Sequence, residues 1–315
     1  MQKAAAIDRR TAYNLCLVSS WTRRIAECHL YAVIIANDHD KPSAGLIRRW
    51  IADIMEGGRK GAIARTRAGH VRQLWIDSFY PSGANPAYRL HELYLHEPFL
   101  SSRLLLFPNL ESIGWAQRRN AIWLWKEIAA FASRLPAETT EKDETLARTR
   151  RKELHVTVDF KAVSLHHYSP ITPTSVDAIT HLRIHHLTEY LAPNSVLATY
   201  RSLTHLSMAT RAATGELLVN SHSLAAPTFA HLKMHVIELP QKGSGSQGQE
   251  CLREIKMQRA RGYPIFAVMQ MASLHDDWER EASGGDSIWQ RARTFASALE
   301  RQNWEYDFDN PQAAS

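Results

Sequence analysis

The sequence predicts an α/β fold in which short parallel strands stack side by side as a solenoid with a curved sheet. Three observations predict it. Apolar residues recur as L-x-x-L-x-L over most of the chain, the step from one copy to the next is nearly constant, and both ends carry helical rather than strand periodicity. With 315 residues, 44% of them hydrophobic and 22% charged, the chain can bury a sizeable core and is not a disordered tail.

Between Thr11 and Leu30, Leu15, Val18, Trp21 or Thr22, Ile25 and His29 or Leu30 return at three-to-four spacing, which places them on one helical face across one or two short helices. Tyr31 to Ile35 reads as a buried strand. After the turn at 38–43, Leu46, Ile47, Trp50, Ile51 and Ile54 mark a second helical stretch. It ends at Gly57-Gly58, where glycine takes a left-handed stop without a Cβ penalty. Residues 1–66 are therefore expected to be mostly helical.

The repeat follows. Its copies are Val71, Leu74, Ile76; Leu90, Leu93, Leu95; Leu110, Ile113, Trp115; Ile179, Leu182, Ile184; Leu203, Leu206, Met208; and Phe229, Leu232, Met234. Weaker copies fit at Val156/Val158 and at Tyr263, Phe266, Val268. The middle residues fall at 74, 93, 113, 156, 182, 206 and 232, so the steps are 19 to 26 residues apart from one of 43. The last two apolar residues of a copy alternate along a short strand and point inward, while the first packs beneath the neighbouring unit. One unit cannot bury its own face, so several must stack, which is leucine-rich-repeat architecture. An ordinary α/β domain with leucine-rich strands is the alternative.

The solenoid is expected over 67–275. The long step holds an insertion at about 117–152, with a helix carrying Leu124, Ile128, Phe131 and Leu135 and a polar run ending in Arg148, Arg150, Arg151 and Lys152. Lys242 to Gln249 reads as a flexible low-complexity loop. From 276 to 315 the chain leaves the repeat. Ser287 and Gln290 have capping-box spacing, and Ile288, Ala292, Phe295, Ala296 and Leu299 continue one face, as expected of a helix closing the exposed last unit.

Thirty-eight basic against 32 acidic residues give +6, too dilute and too interleaved for a nucleic-acid stripe, so weak nucleic-acid binding ranks below protein binding. Cys16, Cys28 and Cys251 form neither a disulfide framework nor a zinc knuckle. The N-terminus becomes charged before a signal core develops, and the apolar run from Tyr31 to Ala36 is too short for a bilayer. An intracellular protein, cytoplasmic or nuclear, is expected, with no membrane contact. Gly243, Gly245 and Gly248 spell G-x-G-x-x-G, but Pro240 interrupts the approach and no acidic residue ends a later strand, so no dinucleotide site is expected. No nucleophile, metal or kinase motif occurs, and Asp276-Asp277 reads as a polar turn. Neither enzyme activity, a cofactor nor a metal is expected.

The candidate residues are for binding. His155, His181, His205 and His231 each precede the middle apolar residue of a copy, where a side chain faces solvent on the concave side. They would stack as a ladder at roughly 4.8 Å per strand beside Arg183 and Lys233, an anion-reading or pH-sensitive surface, or merely a solvated habit of the repeat. Trp75 and Tyr94, at the outward position after the middle residue, would add aromatic contacts to a protein partner.

The segment Asn14-Leu-Cys-Leu-Val-Ser-Ser-Trp-Thr-Arg-Arg-Ile-Ala-Glu-Cys-His-Leu-Tyr31 resembles the latter half of an F-box. Together with the repeats, with Gly69-His-Val-Arg-Gln-Leu-Trp-Ile76 and with Asp277-Trp-Glu and Gly284-Gly-Asp-Ser-Ile-Trp289, the chain resembles the fungal F-box proteins with degenerate leucine-rich repeats found in mushroom-forming species. The resemblance implies the substrate receptor of a cullin-based ubiquitin ligase, without bond chemistry of its own, acting as a monomer within a complex. Leu15, Leu17, Val18, Trp21, Ile25 and Leu30 would contact a Skp-type adaptor, and the repeat surface a target protein. The customary opening Leu-Pro and first helix have no counterpart ahead of Thr11, so an incomplete F-box is expected; an interaction scaffold without adaptor contact is the other reading.

Overall fold

The structure is a computed structural model and describes residues 9–37, 41–78, 106–117, 153–160, 178–187, 200–210, 231–240, 245–271, 273–306 and 308. It is α/β. In sheet order eight strands follow the order of the chain, and every strand pairing described is parallel. The chain divides into two compact units, 1–117 with 123–154 and 155–315 with 118–122.

In the first unit, α1 (Arg9–Val18) and α2 (Ser20–Leu30) form a helical hairpin broken at Ser19. Ser19 is extended (φ −159°), its hydroxyl accepts the Thr22 amide at 3.1 Å, and its own amide donates to the Thr22 hydroxyl at 2.9 Å. This capping box starts a new helix where the apolar spacing alone would allow a single one. Strand β1 (Val33–Asn37) is followed by α3 (Lys41–Glu56) and α4 (Gly58–Ala68). Gly57 between them has φ +79°, so the expected glycine stop is present. Trp50 is buried edge-on against Tyr31, 5.3 Å between centroids, while Arg67 of α4 pairs with Glu27 of α2 at 3.0 Å. Strands β2 (Gln73–Ser78) and β3 (Ser112–Gln117) complete the unit.

Register places Ile34, Leu74 and Ile113 in one row. The strand entrances repeat as well: Ala32 O accepts from the amides of Arg72 and Gln73, and Arg72 O from those of Glu111 and Ser112. Steps along this row are 40 and 39 residues, not the expected 19 to 26. The copy at Leu90, Leu93 and Leu95, with Tyr94, lies outside the described residues, and β2 pairs directly with β3.

Strand β4 (Leu154–Phe160) leads into the second unit, with β5 (Ile179–Leu187), β6 (His205–Thr210), β7 (Met234–Leu239), α5 (Gly245–Ala260), β8 (Ile265–Met269), α6 (Leu274–Ala282) and α7 (Ile288–Arg301). Leu182 pairs with Leu206 and Ile184 with Met208, as the repeat requires. In β7 the expected match of Leu206 with Leu232 fails: Leu206 faces His235, a slip of three residues. All six residues of β7 are buried, so both its faces are covered and alternation could not mark its register. In β8 the row of Leu206 continues through Ile265 and that of Met208 through Ala267, not through Phe266 and Val268.

Helix α7 starts at the expected box, with the Gln290 amide 3.3 Å from the Ser287 hydroxyl and the Ser287 amide donating to the Gln290 side chain at 2.8 Å. It packs over the last strand, β8, and reaches β7. Ile288, Trp289 and Ala292 pack with Met234, Val236 and Val268 in one buried cluster, so α7 lies on the face that the sequence reading left open to solvent. Arg259 of α5 also covers the flank of β8: its guanidinium donates to Ile265 O at 3.3 Å, stacks on Phe266 at 4.4 Å and pairs with Glu300 of α7 at 2.8 Å.

The stretch expected as a flexible loop is partly helix, since α5 begins at Gly245. A Cβ at Gly248 would come within 2.5 to 2.9 Å of the Phe308 ring. Replacing a mid-helix glycine by alanine ordinarily stabilises by ~0.5–1 kcal/mol. Here overpacking against a buried aromatic should dominate, and Gly248→Ala is expected to lower unfolding free energy by ~1–3 kcal/mol in urea melts. A gain in stability would contradict the Gly248–Phe308 contact.

Candidate functional site

Side chains on the α7-covered face of the second unit alternate along each strand: His181 and Arg183 on β5, His205 and Ser207 on β6, Met234, Val236 and Glu238 on β7, Phe266 and Val268 on β8. The β5–β6 half is polar and the β7–β8 half is largely apolar.

On the polar half the rings of His155, His181 and His205 stack, with centroids 3.9 and 4.1 Å apart. Parallel strands set the spacing, and a threonine before each of the last two histidines sets the ring orientation. His181 Nδ1 lies 2.9 Å from the Thr180 hydroxyl and His205 Nδ1 2.8 Å from the Thr204 hydroxyl. The Thr204 hydroxyl also lies 3.2 Å from Thr180 O, which ties it to the preceding strand. Trp289 of α7 meets His181 and His205 edge-on at 5.5 and 5.2 Å.

Burial, followed by the neighbouring imidazoles and Lys233, pushes His181 down to about 2. Burial, then Arg293, His155 and Lys233, pushes His205 down to about 4. Both rings are neutral at neutral pH. The planes of His181 and His205 differ by only 11°, so these two rings lie side by side; at the other end of the stack a carboxylate oxygen of Glu153 and a ring nitrogen from each of His155 and His181 all lie within 4.8 Å of one another, a set of donors that could hold a metal ion.

Of the four expected ladder members, His231 is not one: it is exposed ahead of β7, and Met234 stands opposite His205. The three-residue slip of β7 removes it. Lys233 is exposed as expected. Arg183 is not on a solvent face. It is 3% exposed, and its Nε and Nη2 donate to Glu238 Oε1 and Oε2, both at 2.7 Å. Its Nη2 also lies 2.7 Å from Asp277 Oδ2.

Asp277, expected in a polar turn, is buried on α6 and takes Arg291 at 2.5 Å and Arg280 at 3.1 Å besides Arg183. Ser207 donates to Glu238 Oε1 at 2.8 Å. Burial alone would raise the Glu238 carboxyl, but the charge and hydrogen bonds of Arg183, with Ser207, hold it below the usual carboxylate range. Glu281, beside the network and bonded to the Ile288 amide at 3.4 Å, is pushed up by burial. The Gln270 amide donates to Nε2 of buried His185 at the edge of this group.

Trp75 is also not where the sequence placed it. It is fully buried, opposite Gly114 of β3 in the register. Tyr94 lies outside the described residues. Of the adaptor candidates, Leu15, Ile25 and Leu30 are half-buried, whereas Leu17, Val18 and Trp21 are exposed. Tyr13, which the spacing argument passed over, is exposed beside them, four residues before Leu17.

Sequence reasoning missed Glu238, Asp277, Arg291 and Trp289. The one available signal was an acid, Glu238, inside the apolar run Met-His-Val-Ile-Glu-Leu: a carboxylate there must be paired.

Compared with models of protein families, with characterised proteins and with solved structures, the chain matches none. Among the described residues no helix is long and apolar enough to cross a membrane.

Two outcomes are expected. Glu238→Gln leaves the buried Arg183 short of a counter-charge and should cost ~3–5 kcal/mol in chemical denaturation; a loss below ~1 kcal/mol would mean that water, not Glu238, satisfies Arg183. The neutral imidazoles give the second. Because the folded chain resists protonating His205 down to about pH 4 while the unfolded chain takes the proton near 6.5, stability is fully present above pH 6.5 and falls as pH drops toward 4. His205→Gln should make that decline shallower in urea titrations across the window; an unchanged slope would contradict the buried neutral ring.

Proposed function

We propose that this chain is a substrate receptor of a cullin-based ubiquitin ligase, with α1 and α2 docking a Skp-type adaptor and a leucine-rich-repeat-like solenoid holding the target protein. One observation carries the reading. Tyr13, Leu17, Val18 and Trp21, on two consecutive helices joined by a capping box, are 56% to 72% exposed, while Ala12, Cys16 and Ala26 of the same helices are buried. A helical hairpin that packs its small residues inward and its large apolar ones outward has a face suited to another protein. Tyr13 and Leu17 stand four residues apart on α1 and Trp21 lies in the first turn of α2, and two aromatic rings together with aliphatic side chains are the composition of an interface centre.

The parallel strands, the rows through Leu74 and Ile113 and through Leu182 and Leu206, and the recurring strand entrances support the repeat reading. In this role the chain performs no bond chemistry. It raises the local concentration of target lysines near a separate ubiquitin-carrying enzyme, a gain in proximity and not in reactivity.

Purified Skp-type adaptor should be retained by the immobilised chain. Leu17→Asp and Trp21→Asp should each weaken retention at least about tenfold, because these side chains are already in water and their loss leaves the fold, followed by circular dichroism, unchanged. An unmutated chain that holds no adaptor would sink the ligase role and leave an interaction scaffold.

A further inference from the structure

We propose that Glu153, His155 and His181 form a binding site for a divalent transition metal ion such as zinc. The site is independent of the receptor reading and adds a ligand that neither the helical hairpin nor the repeat requires.

The donors come from two neighbouring strands. Glu153 directly precedes β4, His155 is the second residue of β4, and His181 lies on β5, the next strand in the sheet. Glu153 and His155 stand two residues apart, the spacing at which an extended chain returns to the same side. Strand pairing then sets His181 against His155, with ring centroids 3.9 Å apart. A carboxylate oxygen of Glu153 and one ring nitrogen from each histidine all fall within 4.8 Å of one another. No local spacing in the sequence displays this set, because His181 arrives from 26 residues beyond His155.

Distances decide whether one ion can be shared. Zinc takes imidazole nitrogen at roughly 2.0–2.1 Å and carboxylate oxygen at roughly 2.0–2.2 Å, so donors around a tetrahedral ion stand about 3.3 Å apart. The present donors are therefore too wide by at most about 1.5 Å per pair. Side-chain rotation closes a gap of that size here, since Glu153 is exposed and both rings are half-buried. The planes of His155 and His181 are 29° apart, against 11° for His181 and His205, so the first pair is not held in the side-by-side arrangement of the second.

The surroundings favour binding as well. The Thr180 hydroxyl, 2.9 Å from His181 Nδ1, and the edge of Trp289, 5.5 Å away, hold the His181 ring in place, the kind of outer support that ligating histidines ordinarily have. Exposed Glu153 leaves an entry path and brings one negative charge toward the ion. Two imidazoles with one carboxylate suit zinc, cobalt, nickel or copper, whereas magnesium and calcium take oxygen donors. Three protein donors leave a fourth position for water.

The test uses the full chain, first stripped with a chelator, and the metal ions alone. Equilibrium dialysis against about 10 μM zinc should load one ion per chain, and cobalt should give the visible absorption of a tetrahedral ion. Glu153→Gln and His155→Ala should each weaken zinc binding roughly tenfold or more, and excess magnesium or calcium should not displace the ion. Glu153 is exposed, so its variant tests the site without disturbing the fold, and circular dichroism without metal should match the unmutated chain. With 16 histidines in the sequence, the competing explanation is an adventitious ion only. His231→Ala, exposed and outside the stack, is the control and should bind as the unmutated chain does. No zinc on the unmutated chain, an unaltered affinity in Glu153→Gln and His155→Ala, or an equal loss in His231→Ala would each overturn the proposal.

Discussion

A guanidinium in the middle of a parallel sheet cannot be left alone, and much of the second unit is arranged around that constraint. Arg183 sits on a central strand, 3% exposed, where an unpaired charge would cost several kcal/mol. Glu238 answers it from β7 with two parallel hydrogen bonds, and Asp277 answers it from α6. Asp277 in turn draws in Arg291 of α7. The network is thus a set of orientation constraints: β5 is tied to β7, and both C-terminal helices are held at one position over the sheet. Apolar packing alone would permit those helices to slide, whereas bidentate geometry would not.

The covered face changes character along the sheet, and α7 follows the change. Over β7 and β8 its Ile288 and Ala292 meet Met234, Val236 and Val268, a dry cluster whose burial favours docking. Trp289 belongs to that cluster and also presents its ring to His181 and His205. One indole thereby joins the apolar half to the polar half. On the other side Arg259 spans α5, β8 and α7, using its planar head on a carbonyl, an aromatic ring and a carboxylate at once. With both flanks secured, the half-buried imidazole edges are the polar ground on this face that the helices leave partly open.

Local rules were readable from the chain, and long-range ones were not. The stop at Gly57 and the box at Ser287 depend on residues within a few positions of one another, so sequence spacing is enough; the break at Ser19, whose partner is a threonine hydroxyl, is equally local but apolar spacing did not state it. The row through Leu182 and Leu206 was legible because polar residues alternate with the apolar ones in both strands, His181 and Arg183 in one and His205 and Ser207 in the other. In β7 both faces are covered, alternation vanishes, and the register slipped three residues from the expected one. That slip took His231 out of the ladder. The fate of Arg183 was hidden for a related reason: its partners lie 55 and 94 residues away, on elements whose placement over the face no local pattern states. Trp75, paired in register with Gly114 39 residues on, is buried by parts of the chain that no local pattern states.

What the chain determined unaided is its set of elements: helices where apolar spacing and caps agree, short strands where leucines alternate, and three histidines in register on neighbouring strands. Only the tertiary structure decided which face of the sheet the last two helices occupy, and so which charged side chains are paired in the interior and which remain in water. The physical reason is that secondary structure follows from the conformational preferences and periodicity of nearby residues, while the burial of a charge depends on whether a counter-charge arrives from elsewhere in the chain.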